Sequence, residues 1–151
     1  MTTEGRDLAA PPQDAAPPDA EGAGSGVNRG LASALGIELL ETTPERVTGR
    51  MPVRGNTQPY GLLHGGASCV LAETLGSVGA TLHAGPGRSA MGIEINATHH
   101  RSASEGWVTG VATQVHGGRT LTAYDIVITD EQGRRVCTAR LTCMLRDKPA
   151  T

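Results

Sequence analysis

The sequence predicts an α+β fold, an antiparallel sheet of about five to six strands wrapped around one long central helix. Three observations predict it. Apolar and polar residues alternate with period two in several segments, the pattern of half-buried strands. One stretch, from about Gly65 to His83, is instead a continuous run of residues that favour or tolerate helix. The order is two strands, that helix, then about four strands.

Each element has its own warrant. Residues 1–26 are rich in Pro, Ala, Gly and Asp and cannot bury enough apolar surface to offset their ordering entropy. They read as a disordered tail, leaving residues 27–151 as a single folded domain. "VNRGLASALG" predicts a short helix ending at Gly36. "IELLETTPERVTGRMPV" predicts two strands joined by a Thr-Pro-Glu turn. In the second of these, Val47, Met51 and Val53 alternate with Arg46, Thr48 and Arg50, so one face is wet. An irregular Asn-Thr-Gln-Pro segment precedes the long helix, and "GPGRS" ends it. In "SAMGIEINATHH" the alternation puts Met91, Ile93 and Ile95 on one side and Glu94, Asn96 and Thr98 on the other. "EGWVTGVATQVH" and "RTLTAYDIVITD" flank Gly117-Gly118, a hairpin signal. "EQG" leads into "RRVCTARLTCMLR", where Cys137, Ala139, Leu141 and Cys143 oppose Val136, Thr138, Arg140 and Thr142.

Composition excludes several classes of function. With 2% aromatic residues and no Phe, the core must be built from Val, Leu, Ile, Ala and Met. A net charge of -2 without any basic run argues against nucleic acid and anionic membranes as partners. No apolar run is long enough to span a membrane, and the N-terminus lacks the basic start and apolar block of a signal peptide. Cys69, Cys137 and Cys143 show no C-x-x-C spacing and read as small buried hydrophobes. A cytoplasmic protein fits this usage.

Glu73 is the residue that raises a question. Its helix puts Val70, Leu71, Leu75 and Val78 on a core side and Ala, Gly and Cys elsewhere, which predicts burial nearly all round. A buried carboxylate must shift its pKa or find donors, at a cost of several kcal/mol. It could be a structural carboxylate satisfied by a neighbouring Asn or Arg. It could equally be a nucleophile or general base in a water-poor site.

The residues before it add information. His64-Gly65-Gly66 stand where the helix begins, at free backbone N–H groups and the positive end of the dipole. The glycines either turn a tight corner or let a carbonyl approach as in an oxyanion hole, where each donor is worth about 2.7–4 kcal/mol in the transition state. Gly65 and Glu73 are eight residues apart, roughly 12 Å along one helix axis. They cannot both reach one carbonyl carbon from the same helix, so joint function requires at least a dimer.

"QPYGLLHGGASCVLAETLGS" resembles the signature of hotdog-fold acyl-CoA thioesterases. Within them it is most similar to the branch of the phenylacetate-pathway and Arthrobacter-type 4-hydroxybenzoyl-CoA thioesterases. The similarity runs from about Leu35 to Arg146 and takes in "INATHHRSASEG" and "HGGRT". The resemblance implies dimers with a continuous sheet, and homotetramers. It implies hydrolysis of an aroyl or arylacetyl thioester of coenzyme A, in aromatic compound catabolism, without a cofactor or metal. Alternatives are a medium-chain acyl-CoA or dihydroxynaphthoyl-CoA thioesterase, a hotdog hydratase or dehydratase, and a non-catalytic acyl-CoA-binding module.

Carried over by position, Glu73 is the catalytic carboxylate, attacking the carbonyl or activating water. Gly65 gives its N–H to the carbonyl oxygen, Gln58 orients water or the thioester, His64 supports the loop, and Ser77 positions water or the acyl group. Arg101, Arg119 and Arg146, with Thr120, are the candidates for coenzyme A. Arg119-Thr120 follows a Gly-Gly turn where family members place nucleotide contacts. The sequence departs from the family at His99-His100-Arg101-Ser102, where relatives often carry two aromatics and Arg-Pro. That puts the acyl pocket's shape in question. Adjacent histidines on a strand point to opposite faces and chelate a metal poorly.

Overall fold

The structure is a computed structural model and describes residues 30–149. The tail proposed over residues 1–26 lies outside the described residues. The elements are α1 (Gly30–Ala34), β1 (Glu38–Thr42), β2 (Arg46–Pro52), α2 (Gly65–Ala84), β3 (Arg88–His99), β4 (Trp107–Gly117), β5 (Leu121–Asp130) and β6 (Arg135–Asp147). All pairings are antiparallel, in one six-stranded sheet of order β1-β2-β4-β5-β6-β3. The chain leaves β2 near one side of the sheet, crosses through α2, and returns as β3 on the far edge. That crossing lays the 20-residue helix over the inner face.

Small residues let the helix sit low on the sheet. Ala67, Ser68, Leu71, Ala72, Leu75, Gly76, Gly79 and Ala80 form its buried side. A Cβ at Gly76 would come 2.6 Å from Leu141 Cδ2, and one at Gly79 would come 2.7 Å from the Tyr124 ring. Those two glycines are required by close approach. They also explain how a core without Phe fills: the helix is close enough for Leu, Val and Ile to span the gap. Tyr124 is the one fully buried aromatic; its hydroxyl donates to the Pro44 carbonyl at 2.6 Å and accepts from Gln114. Burial pushes its phenol above the ordinary range.

Two expectations are corrected. The helix is not buried nearly all round: Gly66, Glu73 and Thr81 are exposed, and Val70, Ser77 and Val78 are half-buried. The sheet covers one side of α2 and leaves the other open. The simple alternation of Met91, Ile93 and Ile95 also fails, because the β3–β6 register shifts between Gly92 and Glu94. Met91 lies opposite Met144 while Ile95 lies opposite buried Leu141, so the two are on opposite faces. Ile93 is the extra residue and is 52% exposed on an edge strand.

Candidate functional site

The segment between β2 and α2 closes on itself before the helix starts. Asn56 donates from its side chain to the Leu35 and Pro52 carbonyls, both at 2.8 Å, and its own carbonyl accepts from His64 N–H. Gln58 N–H bonds Leu62 O, and Leu63 N–H bonds Ala103 O. This clamp fixes where α2 begins.

His64 is the N-cap. Its backbone is extended and its Nδ1 accepts the Gly66 N–H at 2.9 Å. An accepting Nδ1 puts the proton of a neutral ring on Nε2. The consequence for Gly65 is direct. Gly66 N–H is occupied by the cap, Ala67 and Ser68 N–H bond His64 O, and Gly65 N–H has no partner among the described residues. One donor is thus left free at the positive end of the helix.

His99 stands over that glycine. A Cβ at position 65 would come 2.9 Å from His99 Nε2, so only Gly allows the ring to lie there. His99 pairs with buried Cys137, on the same side of β3 as Ile95 and Ala97. His100 Nε2 instead lies 2.9 Å from Thr138 Oγ1. The sequence left His99 without an assigned role. Alternation from Ile95 gives its side of the strand, but its place by Gly65 depends on where α2 crosses the sheet.

Glu73 is exposed, and it makes no hydrogen bond or ion pair among the described residues. Its Oε1 lies over Gly92, 3.5 Å from where a Cβ would be. Beneath it is the Cys143 thiol, pushed up to about 11 by burial and then by the Glu73 charge, while a bond with Ser77 opposes the rise. Cys137, pushed up to about 11 by burial and next by Cys69, is likewise a thiol at neutral pH. Neither is ionised enough to act as a nucleophile. Glu73 is the carboxylate on this helix, with Ser77 one turn further on.

The cations divide into two groups. Arg146 lies across from Ser89, next to Leu145, whose N–H bonds Thr120 O; Arg119, Thr120 and Arg146 therefore share the end of the sheet at the helix C-terminus. Arg101 follows the other end of β3, beside the helix N-terminus, where its N–H bonds Val136 O. One chain does not gather all four candidates. Among the described residues no cluster of three or more His, Cys, Asp or Glu is arranged to hold a metal.

Residues 60–137 match the family described as the thioesterase superfamily. The chain belongs to it.

Two relatives named proofreading thioesterase EntH support the same assignment. That of Cronobacter turicensis is 50% identical over 112 residues, covering 74% of this chain and 82% of the relative. That of Cronobacter sakazakii is 53% identical over 108 residues, covering 71% and 74%. Among solved structures, thioesterase HI1161 of Haemophilus influenzae superposes with a TM-score of 0.79 at 35% identity, over 82% of this chain and 87% of that one. A glutamine-to-alanine variant of thioesterase PA1618 of Pseudomonas aeruginosa gives 0.80 at 38% identity, over 87% and 96%. The protein is a thioesterase with the hotdog fold, an enzyme that hydrolyses a thioester bond.

Proposed function

We propose that the chain hydrolyses an aromatic acyl thioester of coenzyme A, aroyl or arylacetyl, at a site shared between two subunits. One observation carries this reading. Among the described residues, an exposed carboxylate without a pair and an N–H without a partner sit eight residues apart on one helix, both bordering the strand at the sheet's edge.

A second copy completes the site. If the β3 strands of two chains pair antiparallel with Asn96 opposite Asn96, then Ile95 lies opposite Ala97 and, with Ile93 as the extra residue of the bulge, Gly92 of one lies opposite His99 of the other. Glu73 sits over Gly92 and Gly65 sits under His99. That register brings Glu73 to Gly65 of the partner subunit, which the roughly 12 Å separation within one helix forbids. It also pairs the free N–H and C=O groups of the edge strand and covers Ile93. Dimers then associate into a homotetramer through surfaces away from this edge.

In such a site Gly65 N–H donates to the thioester oxygen as it becomes an oxyanion, aided by the helix dipole. Glu73 either takes a proton from the attacking water or attacks the carbonyl itself, and water then opens the resulting anhydride. Either route adds one water across the C–S bond and releases the acid and coenzyme A. Gln58 orients the water, His64 holds the helix start so that Gly65 stays free, Ser77 steadies the acyl group, and the His99 ring forms the pocket wall. Arg119, Thr120 and Arg146 bind the nucleotide, with Arg101 contributing from the opposite end. Among the described residues no helix is long and apolar enough to cross a membrane, and a cytoplasmic location suits this substrate.

The relatives named proofreading thioesterases favour a second reading, removal of wrong acyl groups from a thiol carrier by the same chemistry. Their identity speaks against a non-catalytic binding module. The test is a panel of aroyl-, arylacetyl-, medium-chain and dihydroxynaphthoyl-CoA esters, with an acylated carrier protein alongside, followed by a thiol dye. Highest kcat/KM on an aromatic coenzyme A ester supports the first reading. Preference for the carrier-bound group, or for a medium chain, replaces it.

A further inference from the structure

We propose that His83 and Arg88 are positioning residues that hold the turn between β4 and β5 ready for the phosphorylated end of coenzyme A. The inference rests on the proposed nucleotide contacts of Arg119 and Thr120. Three consecutive carbonyls of this turn are bound by groups from three other elements. His83 Nε2, in the last turn of α2, lies 3.1 Å from Gly118 O. Arg88 Nη2, on the first residue of β3, donates to Arg119 O at 2.7 Å, and Leu145 N–H of β6 donates to Thr120 O at 2.8 Å. Gly118 O is an acceptor only, so His83 is the donor there.

The effect is a turn with one polarity facing out. Its carbonyls are occupied on the protein side, while the N–H groups of Arg119 and Thr120 have no acceptor among the described residues. Both side chains are exposed, and Arg119 makes no ion pair among the described residues. A surface that offers donors and a guanidinium but hides its carbonyls suits a phosphate-bearing ligand. Arg88 is itself anchored by Asp147 at 3.0 Å and is only 24% exposed, so it braces the turn rather than reaching the ligand. Packing holds the same segment: a Cβ at Gly117 would meet His83 Cε1 at 3.0 Å and Gln114 Oε1 at 2.9 Å. Without the His83 bond, the Gly117-Gly118 pair regains freedom that the ligand must then remove on binding.

The test compares the acyl-CoA turned over fastest in the panel with the same acyl group on N-acetylcysteamine, which lacks the nucleotide. His83→Leu is expected to raise KM for the coenzyme A ester about five- to tenfold, the scale of one lost hydrogen bond. Its kcat, and kcat/KM for the truncated ester, stay at wild-type values. His83→Gln, which restores a donor, is expected to recover most of the loss. Arg119→Ala tests the underlying reading separately by raising KM for the coenzyme A ester. If Arg119→Ala raises KM and His83→Leu does not, the bracing role is overturned and the nucleotide site stands. Equal losses on both esters, or no recovery with Gln, also overturn it, because a general structural role gives that pattern. An unchanged KM in Arg119→Ala removes the nucleotide site and this inference together. Should His83→Leu fail to fold, Arg88→Gln frees the neighbouring carbonyl and is judged by the same comparison.

Discussion

Replacing Glu73 by Gln separates catalysis from stability more sharply than any other single change. The carboxylate is exposed and has neither ion pair nor hydrogen bond among the described residues, so the folded chain loses no contact. Glu and Gln have similar helix propensities, and the stability change is expected within about 0.5 kcal/mol. The Cys143 thiol lies beneath Glu73 and is pushed up partly by its charge, so removing that charge favours the folded state slightly if at all. Loss of a positioned base or nucleophile costs about two to four orders of magnitude in kcat, equivalent to about 3–5 kcal/mol of transition-state stabilisation. The assay is thiol release with dye, run beside thermal unfolding and size-exclusion chromatography. A folded, correctly assembled variant with near-normal kcat would remove Glu73 from the mechanism. A large loss of Tm would show that the side chain has a structural partner, and the open-face placement would be wrong.

Other outcomes follow from the same structure. Ile93→Lys puts a charge on the open edge of β3 and is expected to yield a folded monomer with turnover reduced at least a hundredfold, seen by sedimentation and thiol release; a monomer at full activity would refute the shared site. Gly79→Ala drives a Cβ to 2.7 Å from the Tyr124 ring, which cannot retreat because its hydroxyl is held by Pro44 O. Overpacking of about 1–3 kcal/mol outweighs the roughly 1 kcal/mol gained in helix propensity, so Tm falls; a rise in Tm would contradict the close approach. At high pH the buried thiols set the sign. Cys137 and Cys143 are raised from 9.0 to about 11 in the fold, so their contribution is intact below about pH 9 and lost as pH rises through 11. Each accounts for about 2–3 kcal/mol, and Cys143→Ala should flatten the fall in stability between those limits in urea titrations; an unchanged slope would count against it.

Much of the fold was legible because it depends on local pattern. Period-two alternation marked the strands, and the helix was placed from Gly65 to His83 against an observed end at Ala84. The Thr-Pro-Glu signal fell between β1 and β2, and the Gly-Gly signal where β4 gives way to β5. The errors came from features that alternation does not encode. One unpaired residue at Ile93 reverses the faces of everything before it in β3, and nothing in "MGIEIN" announces it. Burial of α2 was overestimated because small residues suit a face packed on a sheet and an open face equally well. His99 was missed for a different reason: alternation from Ile95 gives its side of the strand, but only the crossing of α2 over the sheet places Gly65 beneath it.

By itself the sequence singled out the residues proposed to carry chemistry: a lone carboxylate on an apolar helix, and two glycines at its start. It also set a condition: helical rise separates that carboxylate from those glycines, so their joint action on one carbonyl needs two subunits. Only the tertiary structure decided which donor is free among the described residues, since His64 occupies the N–H of Gly66 and leaves that of Gly65. It alone showed that Glu73 faces an open strand edge, and that α2, β3 and β6 together hold the turn carrying Arg119. The physical reason is distance along the chain. Propensity and periodicity act over a few residues, whereas a hydrogen bond from position 83 to position 118 exists only after the sheet has brought them together.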